Sequence, residues 1–451
     1  MEREKLGSRL GFILISAGCA IGVGNVWKFP YMVGQYGGGA FVLIYLFFIL
    51  ALGVPVLTME FALGRASKKS PVHLYKKLAG PKSKWNIHGY FAMLGNYILM
   101  MFYTTVAGWM LKYFVDTAAG KFVGADAEGV ANLFGDMLAN PGALIIYMGI
   151  IVVAGFAINS IGLQQGVERV TKVMMIALLG IMIILAVNSI FLDGGSEGLA
   201  FYLLPDFNRM AEIGISEVVV GAMNQAFFTL SLGIGSMAIF GSYIDKKHSL
   251  MGEAVNVAVL DTFVALTAGL IIFPACFAYG VEANSGPSLI FITLPNIFNN
   301  MTLGRLWGSL FFVFMTFASF STVIAVFENI ISCCMDLFRW SRKKTCFINC
   351  ILIFLLSIPC SLGFNIWSSF QPLGAGTGVL DLEDFVVSNL LLPLGSLTYV
   401  LFCVTRYGFG WDKFVAEANE GTGLKVAKWM RPYCTFVLPV IVLIVFLVGI
   451  L

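Results

Sequence analysis

An aspartate stands alone in an apolar run, Val257-Ala-Val-Leu-Asp-Thr-Phe-Val264. A carboxylate in such a setting must find a cation or take up a proton, because burial disfavours its charged form. Three further groups of polar residues interrupt equally apolar stretches: Asn25; Gln225, Thr229 and Ser231; and Thr316, Ser319, Ser321 and Thr322. A sodium ion takes roughly five or six hard oxygen ligands, and neutral amide, hydroxyl and carbonyl oxygens supply them without leaving a charge behind when the ion departs. Any one of these hydroxyls could instead bond back to a carbonyl one turn earlier. Asp261 has no such local outlet, so a cation-binding or proton-carrying role is expected of it.

Two glycine-rich interruptions lie close to these residues, Gly18-Cys-Ala-Ile-Gly-Val-Gly24 and Leu230-Ser-Leu-Gly-Ile-Gly235. If each breaks a helix, freed N–H groups point at negative charge and freed carbonyls suit an ammonium or an ion. Together the two demands describe a zwitterionic amino acid. Tyr103, between apolar neighbours Leu99 and Phe102, could donate a hydroxyl to the carboxylate.

The elements that would position these groups follow from composition. The 451 residues are 59% hydrophobic and only 12% charged, with a mean hydropathy of +0.88. Soluble domains carry about twice that share of charge. A spanning helix needs roughly 20 apolar residues. Spans are expected at 10–35, 38–64, 88–116, 142–159, 166–191, 215–242, 250–280, 305–335, 346–364, 380–405 and 432–451. The predicted fold is an all-α polytopic membrane protein of about 11 transmembrane helices, a single domain over 1–451. Its first and sixth helices are discontinuous, at matching places in two groups of five, the pattern of an inverted repeat with a site at the bilayer midplane. The repeats are expected at 8–195 and 212–405, with an extra helix at 432–451. Lysine and arginine crowd the loops on one side, from Arg65 to Lys84 and again from Arg339 to Lys344, so the N-terminus is predicted to be cytoplasmic and the C-terminus outside.

The nine cysteines fall inside or at the ends of apolar segments and imply packing rather than a disulfide framework. No nucleophile has a base nearby. The histidines, His73, His88 and His248, sit in or beside predicted cytoplasmic loops. An enzyme is not expected, and nothing suggests nucleic acid as a partner.

Longer motifs carry a resemblance. Ser8-Arg-Leu-Gly-Phe-Ile-Leu14, Gly22-Val-Gly-Asn-Val-Trp-Lys-Phe-Pro30, Gly37-Gly-Gly-Ala-Phe41, Gln225-Ala-Phe-Phe-Thr-Leu-Ser-Leu-Gly233, Gly241-Ser-Tyr243 and Phe291-Ile-Thr-Leu-Pro295 together resemble the neurotransmitter:sodium symporter family, over essentially the whole chain. The chain looks like a bacterial eleven-helix amino-acid transporter of that family, in the inner membrane. The resemblance implies sodium-coupled symport of a neutral apolar or aromatic amino acid by alternating access, with two sodium ions as cosubstrates. One sodium site would fall on Ala20, Asn25, Thr229 and Asp261, completed by the substrate carboxylate. The other would fall on Gly18, Ile21, Ala318, Ser321 and Thr322. The substrate pocket would comprise Ala20, Val23, Gly24, Leu99, Tyr103, Phe228, Thr229, Ser231, Ile234, Thr322 and Val326. Outer-gate positions fall on Lys28, Tyr103, Phe228 and Asp384, and inner-gate positions on Arg3, Ser242, Tyr243 and Asp336.

Departures from the family pattern sharpen these expectations. Asp261 occupies a position that usually holds asparagine, and its fixed charge predicts transport without chloride; a proton-coupled transporter using Asp261 is the alternative. Gly22 stands where amine transporters carry an aspartate, which favours amino acids over monoamines. Lys28 replaces an arginine, turning a bidentate link to Asp384 into a point-charge one. Ile234 replaces a phenylalanine and would make room for a larger side chain. Leu6 replaces a tryptophan at the inner gate, and Ile176 replaces a proline that helps to unwind the fifth helix.

Overall fold

A computed structural model describes residues 4–280 and 288–450. Among them the chain is helical throughout, with one isolated bridge between His248 and Thr422. The long elements are α1 (Arg9–Ala20), α2 (Gly24–Gln35), α3 (Gly39–Ser67), α4 (Asn86–Ala118), α5 (Pro141–Ile161), α6 (Leu163–Ile190), α7 (Ile215–Thr229), α8 (Ser236–Tyr243), α9 (Leu250–Ala278), α10 (Gly304–Phe338), α11 (Arg342–Leu362), α12 (Val379–Val404) and α13 (Met430–Ile450). Nine of them are individually long and apolar enough to cross a membrane, and α1 with α2 forms a further span bent by 57°. The sixth expected span is divided into α7 and α8, each too short to cross alone.

Most of the places where the helices widen lie just before a proline, although Pro274 and Pro359 sit inside regular helices. Five turns of π-helix, Gly24–Lys28, Ile49–Gly53, Leu289–Thr293, Val386–Leu391 and Tyr433–Val437, each end two residues before a proline. These are Pro30, Pro55, Pro295, Pro393 and Pro439. Proline has no N–H for the carbonyl four residues back and its ring pushes that carbonyl away, so the preceding turn opens. The wide turn Leu163–Glu168 is different. It follows Gly162 at φ 122°, and α6 then runs regularly through Ile176, which is exposed on its outer face.

The bundle is organised around the broken helices. α1 lies against α9 and α10, while α3 packs on both α7 and α8. α4 packs along α10 and α5, and α11 along α5. Exposed apolar side chains such as Phe47, Val153, Val173, Phe347 and Phe436 ring the outside, as lipid requires. α1 itself begins cleanly because the Ser8 hydroxyl accepts from Gly11 N at 3.0 Å.

Candidate functional site

Both breaks are real and stand face to face. After α1 the chain turns extended at Ile21 (φ −68°, ψ 104°), which frees carbonyls between Gly18 and Ile21. Between α7 and α8 three residues take positive φ, Ser231 at 50°, Gly233 at 96° and Gly235 at 79°. Glycine is required at 233, where a Cβ would collide with the Leu392 carbonyl. The freed backbone is satisfied from neighbouring helices. The buried Glu60 carboxylate of α3 accepts from Gly233 N at 2.6 Å. Asn96 of α4 and Asn329 of α10 both donate to the Ile234 carbonyl, at 2.8 and 3.3 Å, and Asn329 also donates to Asn96.

The hydroxyls sort into two kinds. Thr316 and Ser319 bond back to carbonyls of their own helix, at Phe312 and Met315. Ser321 and Thr322 reach across to the first break. Ser321 Oγ lies 3.0 Å from the Gly18 carbonyl and 2.9 Å from that of Ala318. Thr322 Oγ1 lies 3.2 Å from Gly18 O, 3.2 Å from Ile21 O and 3.5 Å from Ala318 O. Three carbonyls and two hydroxyls thus converge, all uncharged and all hard, a donor set that fits an alkali cation. No grouping of histidine, cysteine and acidic side chains suited to a transition metal occurs among the described residues.

The second constellation contains the charge. Asp261 is fully buried. Its Oδ1 accepts from Asn25 Nδ2 at 2.8 Å and its Oδ2 from Thr229 Oγ1 at 3.1 Å. Asn25 also donates to the Asp261 carbonyl at 3.2 Å, and its own Oδ1 accepts from Gly22 N at 3.1 Å. Gln225 donates to the Gly24 carbonyl at 3.1 Å. One residue from each of α2, α7 and α9 therefore meets beside the first break, and among the described residues no lysine, arginine or histidine lies within 4 Å of the carboxylate.

Between the breaks is a cavity of about 30 Å³, room for one or two waters. It is lined by nine of the expected residues, Ala20, Gly24, Leu99, Tyr103, Phe228, Thr229, Ser231, Ile234 and Thr322, and also by Cys19, Gly22, Val387 and Leu392. Two expected lining residues are placed elsewhere. Val23 is beside the cavity, its N–H bonded to Tyr103 Oη at 3.0 Å, and Val326 is fully buried and does not line it. At Gly22 any Cβ would meet Tyr103 Oη and Thr322 Oγ1. The two α12 residues could not be anticipated from spacing, because the wide turn Val386–Leu391 is what presents them.

The gate positions are only partly brought together. Lys28 Nζ sits 3.9 Å above the centre of the Phe228 ring, a cation–π contact. Asp384 accepts from Ser388 Oγ at 2.7 Å, and no ion pair joins it to Lys28 within 4 Å. On the opposite end Tyr243 Oη donates to Glu328 at 2.6 Å, and Glu328 is clasped by Arg342 at 2.6 and 3.0 Å. Asp336 accepts from Ser70 N at 2.9 Å, and Ser242 Oγ bonds to the Ile239 carbonyl. Arg3 lies outside the described residues. Glu328 and Arg342 are additions to the expected set; a buried acid in α10 and a base opening α11 were their signal. The N-terminal segment is strapped to the wide turn of α6, through Gly7 N and Ser8 Oγ to Glu168 at 2.7 and 2.8 Å and through Glu4 to Leu163 N at 3.1 Å. Leu6 lies half-buried in that strap.

Comparison with known proteins bears on what such a site does. The model of the Sodium:neurotransmitter symporter family matches residues 3–127 and 127–451. The uncharacterized sodium-dependent transporter YhdH of Bacillus subtilis is 35% identical over 98% of this chain and 97% of its own length. An uncharacterized sodium-dependent transporter of Methanocaldococcus jannaschii, MJ1319, is 32% identical over 98% of this chain and 89% of its own. Among solved structures, MhsT in complex with L-phenylalanine is 37% identical and superposes with a TM-score of 0.88, covering 99% of this chain and all of MhsT.

Proposed function

The chain belongs to the sodium:neurotransmitter symporter family, and within that sodium-dependent transporter family we propose that it carries a neutral apolar or aromatic amino acid into the cell. The observation that carries the reading is the meeting of Asn25, Thr229 and Asp261 at the first break, next to a cavity whose other end is apolar. The cavity must widen to admit an amino acid. The amino acid's carboxylate would then face the Gly22 and Val23 N–H groups, here bonded to Asn25 Oδ1 and Tyr103 Oη, its ammonium the freed carbonyls, and its side chain Leu99, Ile234, Val387 and Leu392. The L-phenylalanine bound by MhsT supports that choice of cargo.

Two sodium ions complete the proposal, one at Ala20, Asn25, Thr229 and Asp261 and one at Gly18, Ile21, Ala318, Ser321 and Thr322. The first shares Ala20 and Thr229 with the substrate pocket, so ion and amino acid favour each other's binding, which is the differential affinity that coupling needs. The second spans α1 and α10, so it holds those helices together until the ion leaves. Asp261 brings its own negative charge, and transport runs without chloride. Lys28, Tyr103, Phe228 and Asp384 close the outer side, and Arg3, Ser242, Tyr243 and Asp336 the inner. The repeats span 8–195 and 212–405, and the chain sits in the bacterial inner membrane with its N-terminus in the cytoplasm and its C-terminus outside.

The test is uptake of radiolabelled L-phenylalanine into proteoliposomes under an inward sodium gradient, with potassium and gluconate replacements. Accumulation that requires sodium and ignores chloride is expected. A second reading, proton coupling, is favoured by the absence of a basic partner within 4 Å of buried Asp261 among the described residues; it predicts uptake that follows a pH gradient and survives sodium removal.

A further inference from the structure

Three glycines, Gly89, Gly95 and Gly108, lie inside α4. An interior glycine weakens a helix relative to alanine, so each calls for a reason from packing. Two have an architectural one. A Cβ on Gly89 would strike the Pro71 carbonyl, and a Cβ on Gly108 would lie 2.8 Å from Met148 N. Backbone can make way for a methyl only by shifting a whole element. Gly95 differs, because a Cβ there would meet side chains alone, Ile234 Cγ2 at 3.2 Å and Leu391 Cδ1 at 3.3 Å. At those distances the two side chains must yield by a few tenths of an ångström.

The position of Gly95 ties that contact to the cargo. Gly95, Leu99 and Tyr103 are spaced four apart and share one face of α4. Leu99, Tyr103 and Ile234 all line the central cavity. Along this face α4 therefore passes from a hydroxyl through an isobutyl group to bare backbone, and Ile234 rests where the backbone is bare. Ile234 is 1% exposed, and its carbonyl is pinned by Asn329 and by Asn96, the residue after Gly95. With its backbone pinned and its surroundings packed, the space into which its side chain can yield is the cavity. We propose that Gly95 sets the size of cargo the transporter accepts: it lets Ile234 sit back against α4, and the room so kept selects aromatic over small aliphatic side chains. This selectivity rests on the cargo being an amino acid. Gly95 itself touches no cargo; it is a positioning residue that acts through Ile234.

The experiment is equilibrium binding of tritiated L-phenylalanine and L-valine to the full chain in nanodiscs with saturating sodium, read as the ratio of the two Kd values. Gly95→Ala should weaken L-phenylalanine about tenfold or more, the scale on which a pocket discriminates one methylene, and L-valine less than about twofold. In an Ile234→Ala background the atom that the new methyl meets is gone, so Gly95→Ala should leave the ratio unchanged, the mark of coupled neighbours. Gly108→Ala is the architectural contrast and should lower thermal stability with the ratio unmoved. If Gly95→Ala alone folds poorly, Gly95→Ala with Leu391→Ala relieves one contact, keeps the one to Ile234, and should show the same shift in ratio. An unmoved ratio, equal weakening of both amino acids, or the same shift with and without the Ile234 side chain would each overturn the role of Gly95 while leaving the cargo reading intact. Binding of neither amino acid to the unsubstituted chain would overturn both.

Discussion

The two oxygen clusters beside the first break differ in charge. Gly18, Ile21, Ala318, Ser321 and Thr322 form a neutral cage between α1 and α10. Asn25, Thr229 and Asp261 form a cluster with a full negative charge, joining α2, α7 and α9. A neutral cage can lose its ion and leave only dipoles, which can bond to one another as Ser321 does to Gly18. An acidic cluster cannot, since its carboxylate stays behind in a site from which water is largely excluded. The difference suggests a division of labour, in which the charged cluster binds ion and substrate together and the neutral cage reports its occupancy to the helix that moves.

Substitutions can break or sharpen this contrast. The largest effect is expected from Asp261→Ala, which removes the charge and the carboxylate acceptor of both Asn25 Nδ2 and Thr229 Oγ1; sodium-driven uptake should fall more than 100-fold, about 2.7 kcal/mol or more in coupling, measured as initial rate at fixed surface expression. Next is Thr322→Val with Ser321→Ala. Uptake should fall roughly 10- to 100-fold, equivalent to about 1.4 to 2.7 kcal/mol, while sodium-stimulated binding of the amino acid survives at the charged cluster; a parallel loss of both would erase the distinction. Gly22→Ala places a Cβ against Tyr103 Oη and Thr322 Oγ1 and should raise the KM for the amino acid about tenfold, about 1.4 kcal/mol. Ile234→Phe should shift preference from aromatic toward small aliphatic side chains by a few fold in competition assays. The smallest change is expected from Lys28→Arg. Arginine keeps a cation over Phe228 and replaces a point charge with a planar fork, so KM should drop about twofold.

What the sequence could reveal tracks what each residue needs. The broken helices were legible because glycine at 233 and 235 answers a local backbone demand. Asp261, Asn25, Thr229, Ser321 and Thr322 were legible because polar groups at membrane depth need partners. Which partner they find is a long-range matter: Ser319 and Ser321, two residues apart and chemically alike, both bond to their own helix, but only Ser321 also reaches the opposite break. Glu60, Asn96 and Asn329 went unread for the same reason, since nothing local says that they face unwound backbone at Gly233 and Ile234. The prolines at 30, 55, 295, 393 and 439 each follow a wide turn, but Pro274 and Pro359 lie inside regular helices, so proline alone did not say that Val387 and Leu392 would reach the cavity. The contact of Lys28 with Phe228 rather than Asp384 depends on side-chain reach across helices, which spacing does not encode.

The most direct measurement of the central idea, that ion and amino acid meet at the charged cluster, is equilibrium binding of L-phenylalanine to the purified chain with sodium replaced by choline and chloride by gluconate. Affinity should rise at least tenfold with sodium and be unchanged by chloride. Affinity indifferent to sodium, or dependent on chloride, would contradict the assignment of Asp261 and its partners as the place where the two cargoes bind together.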